Sequence, residues 1–209
     1  MDSIQAMSSL QVTRTKARLI VSRLFGLSIL VFLILGSSYW SQAPLFDQML
    51  FFVGFLLAVL GFCGRLWCHS YIAGRKKKTL ITAGPCSLCR HPLYFFSLVG
   101  GIGLGLCTET LSAAILFLLA FVLYYPHIIW TEERFLKVNF PDDYEDYKRR
   151  VPLFFPSWSN FTEGQVTINS SDFRNEIFGA GGFLCCVGVF ELIESLHHAS
   201  ILPTYFLIP

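Results

Sequence analysis

Lysine and arginine occur at sixteen positions in this chain, and none of them falls in three of the segments that separate its long apolar runs. The apolar runs are 24–40, 50–67, 93–106, 111–130 and 177–196. The cations gather in or beside 1–23, 65–92 and 131–176, and they are absent from 41–47, 107–110 and 197–209. Connections that stay in the cytoplasm carry an excess of Lys and Arg, while exported ones do not. The alternation therefore predicts an all-α integral membrane protein of about five spans, N-terminus inside and C-terminus outside. The chain has 209 residues, 54% of them hydrophobic and 14% charged. A soluble domain usually carries about 25% charged residues, so there are too few charges here to cover a globular surface.

The first run, 24–40, follows a polar segment ending in Arg14, Lys16, Arg18 and Arg23. It is longer than the apolar centre of a secretory signal, about 7–15 residues, and reads as a retained span. The run 93–106 is short against the roughly 20 residues that cross a bilayer. It is crowded by Gly100, Gly101, Gly103 and Gly105. Gly101 and Gly105 have the spacing that lets two membrane helices approach closely. No strand precedes these glycines, so a dinucleotide-binding loop fails its context. The basic stretch 74–78 reads as a topology anchor facing anionic headgroups. Residues 131–147 are polar and periodic, and Pro141 divides them into two short amphipathic helices on the membrane surface. Residues 151–156 form an extended apolar stretch suited to lie over a site as a lid. A polar linker over 157–176 then leads to the last transmembrane helix, 177–196, whose Glu191 and Glu194 are costly in lipid and belong at the far interface.

Two polar clusters stand at the mouths of neighbouring spans. Arg90-His91-Pro92 opens the third apolar run, and Glu132-Glu133 closes the fourth. A hairpin of antiparallel helices makes these mouths neighbours at the inner face, and ionisable groups there are functional candidates. Cys86 and Cys89 form a lone CxxC among seven scattered cysteines. Structural zinc normally takes four ligands, so no metal site is expected. No nucleic-acid partner is expected either.

Gly84-Pro85, Arg90-His91-Pro92-Leu93-Tyr94, Glu132-Glu133-Arg134-Phe135-Leu136 and the tail from Phe140-Pro141 through Tyr144, Tyr147, Lys148 and Val151-Pro152 occur in that order. Together they resemble the core of the isoprenylcysteine carboxyl methyltransferase family, a group that includes phospholipid methyltransferase-like members. The resemblance covers about residues 65–156, the methyltransferase core of a single membrane domain. It implies S-adenosylmethionine as methyl donor, a donor pocket on the cytoplasmic side, and a lipophilic or prenylated substrate reached from the membrane lipids. It places Lys78, Thr79, Leu80 and Ile81 along the donor pocket, with His91, Pro92, Leu93 and Tyr94 as a donor-binding HPxY element. Glu132 becomes the acid that holds the donor, and Glu133 its paired neighbour. His127 and Arg134 become candidates on the substrate side; the catalytic residues are not assigned.

Two places depart from the family pattern. An aromatic and a basic residue often precede RHP in the family, where this chain has Cys86, Ser87, Leu88 and Cys89. Members acting on a prenylcysteine tend to carry an arginine one helical turn before the acid pair, where this chain has Ile128. The leading expectation is thus an isoprenylcysteine carboxyl methyltransferase-like enzyme. Phospholipid N-methylation is the alternative, followed by a sterol-type reductase and a membrane scaffold without turnover.

Overall fold

The computed structural model describes residues 31, 34–38, 43–73, 79–164, 166, 170–199 and 201–208. The described chain is mostly helical, as the sequence predicts. Its elements are β1 (Gly36–Ser38), α1 (Pro44–Ile72), α2 (Pro85–Leu88), α3 (Pro92–Leu106), α4 (Leu111–Asn139), α5 (Pro141–Arg150), a 3-10 turn (Trp158–Asn160), α6 (Ser170–His198) and β2 (Phe206–Ile208). Prolines open α1, α2, α3 and α5, a position where the missing N–H is harmless and the fixed φ is already helical.

Among the described residues, three helices are long and apolar enough to cross a membrane: Leu45–Ile72, Leu111–Asn139 and Phe173–His197. The helix α3 is apolar but shorter, as its run of residues suggested. Most of the first apolar run lies outside the described residues. Its described end is not helix: Gly36–Ser38 pairs in parallel with Phe206–Ile208. Glycine and serine are weak helix formers, and Ser38 Oγ donates instead to the Glu109 carbonyl at 2.8 Å.

The largest difference from the sequence reading concerns α4. The expected break after residue 130 does not occur, and the helix continues past Pro126 to Asn139. A change from apolar to polar side chains alters the solvent, not the backbone, and Glu, Arg, Leu and Lys at 132–137 are good helix formers. Only the second of the two expected surface helices is separate, as α5. The helix α6 likewise begins at Ser170, within the expected linker.

Helix α3 lies between α1 and α4, and its glycines divide between those neighbours. A Cβ on Gly103 would lie 2.7 Å from the Gly54 carbonyl oxygen of α1, and one on Gly105 would lie 2.7 Å from the Ala114 nitrogen of α4. Gly101 sits beneath the Phe117 ring of α4. The Gly101/Gly105 pair therefore serves the α3–α4 contact, while Gly100 and Gly103 serve α1. Helix α6 packs on α1 around Ala58, Cys107 and Val187. It is pinned by Glu176, whose carboxylate meets Arg65 at 2.7 Å and His69 at 3.5 Å. Arg65 also donates to Ser97 of α3 at 2.5 Å.

At the opposite end of the bundle, Glu109 faces Asp47, Glu191 and Glu194. Burial, followed by the hydrogen bond and charge of Asp47, pushes the Glu109 carboxyl up to about 8.

Candidate active site

The local folding of 84–94 explains how His91 is aimed. Gly84 has φ +61°, the region open to glycine, and a Cβ there would strike the ring of Tyr71. Pro85 then opens the buried turn α2. The segment after α5 wraps this turn through backbone bonds. Arg90 N donates to the Pro152 carbonyl at 2.9 Å, Ser157 N to Leu88 at 2.9 Å, and Gly84 N to Thr162 at 2.8 Å. Ser87 Oγ completes the tie by accepting from Thr162 N at 2.9 Å. His91 caps α3, and its carbonyl accepts from Phe95 N at 3.1 Å. Pro92 holds the first turn, so the imidazole projects back toward α4.

There it meets both glutamates. His91 Nε2 donates to Glu133 Oε1 at 3.0 Å, and Nδ1 lies 3.7 Å from Glu132 Oε2. Arg90 forms an ion pair with the other oxygen of Glu133, with side chains 8% and 17% exposed. The same guanidinium donates to Tyr144 Oη at 3.2 Å. Burial alone would lower the His91 basicity, but the hydrogen bonds and charges of Glu132 and Glu133 outweigh it and raise the pKa. The imidazole is therefore held toward its charged form between two carboxylates.

Helix α5 supports this network from below. Tyr144, Tyr147 and Val151 are buried against Leu80, Leu136 and Phe140. Tyr147 Oη donates to the Cys86 carbonyl at 2.7 Å. Asp142 and Asp143 occupy the first turn of α5 and Lys148, Arg149 and Arg150 the last, matching the helix dipole at both ends. Burial pushes the Cys86 thiol up to about 12, with Cys89 and Glu132 adding to it. Cys89 is also pushed up to about 12 by burial. Such thiols stay protonated and inert near neutral pH. Among the described residues there is no group of His, Cys, Asp and Glu able to hold a metal ion.

Two cavities meet at this wall. The more polar of the two, a cavity of about 290 Å³ whose lining is still largely apolar, is lined by Thr79, Leu80, Ile81, Cys86, Arg90 and His91, continuing through Pro92, Leu93, Tyr94 and Glu132. An apolar groove of about 720 Å³ runs along α4 and includes Phe121, Tyr125, Trp130, Glu133, Arg134 and Phe154. Residues 153–155, in the stretch after α5, line this groove and not the cavity beside His91. Of the residues singled out from sequence, Thr79–Ile81, His91–Tyr94 and Glu132 share the polar cavity, while Glu133 and Arg134 face the groove. Lys78 lies outside the described residues. His127 is exposed and lines neither cavity. Sequence reasoning left Arg90, Tyr144 and Tyr147 without roles. Their signal was present: a YxxY spacing on an amphipathic helix, beside an arginine adjoining the histidine.

These features agree with the chain's relatives. The phospholipid methyltransferase family profile matches residues 46–143. That match spans just under half of the chain and, with the more distant relative named below, it supports an isoprenylcysteine methyltransferase-like membrane protein. It is 39% identical to the nickel-cobalt-cadmium resistance protein NccN of Alcaligenes xylosoxydans xylosoxydans, over 99% of this chain and 97% of that one. It is 41% identical to the cobalt-zinc-cadmium resistance protein CzcN of Cupriavidus metallidurans, over 90% and 87% of the two chains. Protein-S-isoprenylcysteine O-methyltransferase of Schizosaccharomyces pombe is 30% identical over 44% of this chain and 40% of its own. No solved structure matches.

Proposed function

We propose that the chain transfers a methyl group from S-adenosylmethionine to a lipophilic substrate where the bilayer meets the cytoplasm. One observation carries the reading: His91, Glu132 and Glu133 form a shared wall between a polar cavity and an apolar groove. The polar cavity suits this donor, which carries a sulfonium, an ammonium and a carboxylate. Glu132 supplies the opposing negative charge. Arg90 and His91 supply N–H donors for the carboxylate or ribose, and Tyr94, stacked on His91, lines the same cavity with Phe135. When bound, the donor supplies an electrophilic methyl on sulfur.

The chain's own task is alignment, which is where the rate gain of a direct displacement lies. Pro92 and the wrapped α2 turn fix His91, and Glu133 and Arg90 fix its ring. Leu80, Ile81, Leu93 and Leu136 exclude water from the polar side. A carboxylate acceptor is already ionised at neutral pH, so no base is required for it. An amine acceptor must first lose a proton. The segregation of Lys and Arg supports the cytoplasmic placement of this wall.

The test is saturable binding of labelled S-adenosylmethionine to the intact protein in detergent. Glu132→Gln is expected to weaken it at least tenfold. No saturable binding by the unaltered chain would overturn the reading in favour of a scaffold. Incubation with a total lipid extract then reports the acceptor. A single base-labile methyl marks a carboxyl ester. Successive additions on an amine mark phospholipid N-methylation, the reading favoured by the family profile and by Ile128. The names of NccN and CzcN suggest metal resistance as the physiological setting. Loss of the chain should then sensitise cells to cobalt or cadmium, and Glu132→Gln should fail to restore growth.

A further inference from the structure

The segment 152–162, which wraps α2, has two unlike sides. Its inner side is fixed. Backbone bonds tie it to Gly84, Leu88 and Arg90, and the Phe154 ring lies 5.9 Å from those of both Phe95 and Phe121. Phe161 lies 6.2 Å from Trp67, where the apolar run of α1 ends. These rings hold the segment level with the ends of the spans. Its outer side carries Phe155, 75% exposed, and Trp158, 71% exposed. Tryptophan is enriched where a bilayer meets water, because its ring is apolar and its N–H is not. The basic end of α5 is drawn against this turn, where Asn160 Nδ2 donates to the Arg150 carbonyl at 2.9 Å. Arg149 and Arg150 are exposed. Glu145 is matched by Lys137 at 3.1 Å, so Lys148, Arg149 and Arg150 outnumber the neighbouring Asp146 and Glu163. Asp142 and Asp143 sit two turns back, about 10 Å along the helix, roughly a screening length away. Trp158, Arg149 and Arg150 line neither cavity.

We propose that this segment is an interfacial anchor for an anionic bilayer surface. Trp158 and Phe155 lie in the headgroup layer, and Arg149 and Arg150 hold acidic headgroups, an attraction that falls off within a screening length. The occupant is the bilayer's own surface and not the methyl acceptor, so the assignment stands apart from the methyl-transfer reading. A headgroup layer is present at this level in any membrane the spans cross, and exposed rings beside cations match its mixed chemistry. The consequence runs inward. The same segment holds the α2 turn through backbone bonds, so docking on an acidic surface steadies the turn that leads into Arg90 and His91.

The full chain is placed in nanodiscs of phosphatidylcholine, with or without phosphatidylglycerol, whose acyl chains carry bromine near the headgroup. Phe155 also edges the apolar groove, so Trp158 is the cleaner reporter. Brominated lipid is expected to quench the share of fluorescence that Trp158→Phe removes. Phosphatidylglycerol should slow hydrogen exchange of the Gly84, Arg90 and Ser157 amides about threefold, the mark of a steadier local unit. Arg149→Gln combined with Arg150→Gln should cancel that slowing, and Arg149→Lys combined with Arg150→Lys should keep it. Exchange along α1 and α4 should stay unchanged in these variants, which shows that they fold. Trp158→Ser should speed exchange of the same three amides in either lipid. Trp158 fluorescence untouched by bromine overturns the proposal, and if it is also shielded from aqueous acrylamide, a protein covers this face instead. Exchange indifferent to phosphatidylglycerol, or a slowing that survives both glutamines, likewise overturns it.

Discussion

Glu133 answers two cations at once, Arg90 through one oxygen and His91 through the other. Breaking a mostly buried pair strands the remaining charge, which is strongly destabilising. Glu133→Gln is therefore expected to lower unfolding stability by about 3 kcal/mol, read by denaturant titration in detergent. Glu132, farther from His91 and more exposed, should tolerate the same change with little loss of stability and a large loss of donor binding. The two substitutions thus separate positioning from binding. Titration gives a second handle. His91 is raised above its ordinary 6.5, so the folded chain holds that proton more tightly than the unfolded one. The stability it adds is complete below 6.5 and is lost as pH rises through the higher folded value. Glu109, raised from 4.5 to about 8, acts with the same sign and loses its contribution as pH rises through about 8. Tm should fall as pH rises, from about 4.5 to about 8 for the part due to Glu109 and above 6.5 for the part due to His91. His91→Gln should flatten the part due to the active site, and Glu109→Gln the part from the far end.

At the scale of elements, α3 governs the site, because it carries His91 at its first turn and is clasped on both sides by close helix contacts. Gly103→Val would drive a branched side chain into the backbone of α1 at Gly54 and Ala58. Overpacking of this kind costs about 1–3 kcal/mol, and the shift of α3 should weaken donor binding as well. Gly188→Ala on α6 is the control. Nothing lies within 4 Å of its Cβ, so Tm should hold or rise, since alanine favours helix over glycine. Helix α4 shows why element boundaries were hard to read. A polarity switch at residue 131 looked like a new element, yet the backbone ignores it and carries Glu132 outward on the same rod as Phe121. The break does come where Pro141 disfavours helix at Phe140.

At the scale of the whole molecule, α6 is tied to the bundle by an ion-pair network among the described residues. Glu176 joins it to Arg65 and His69 of α1, and through Arg65 to Ser97 of α3. Glu176→Gln is expected to raise hydrogen exchange along α6 and lower Tm. Donor binding should stay within about twofold, since none of Glu176, Arg65 and His69 lines the polar cavity and a neutral partner only weakens the pair. Donor loss equal to that of Glu132→Gln would instead make α6 part of the site.

The membrane class was legible from residues alone, because charge segregation and apolar length are properties of the chain read against a bilayer. So was the meeting of His91 with the acid pair, because a hairpin of adjacent helices brings its own mouths together. What tertiary structure decided is how that pair divides. Consecutive residues on a helix point about 100° apart, following from 3.6 residues per turn, so Glu132 enters the polar cavity while Glu133 turns to Arg90 and the groove. Which of them takes which side depends on the rotation of α4 against α3, set by Gly101 beneath Phe117 and Gly105 against Ala114. The wrap of 152–162 around α2 rests on backbone hydrogen bonds. Those bonds leave no trace in side-chain pattern, so only the folded chain reveals them.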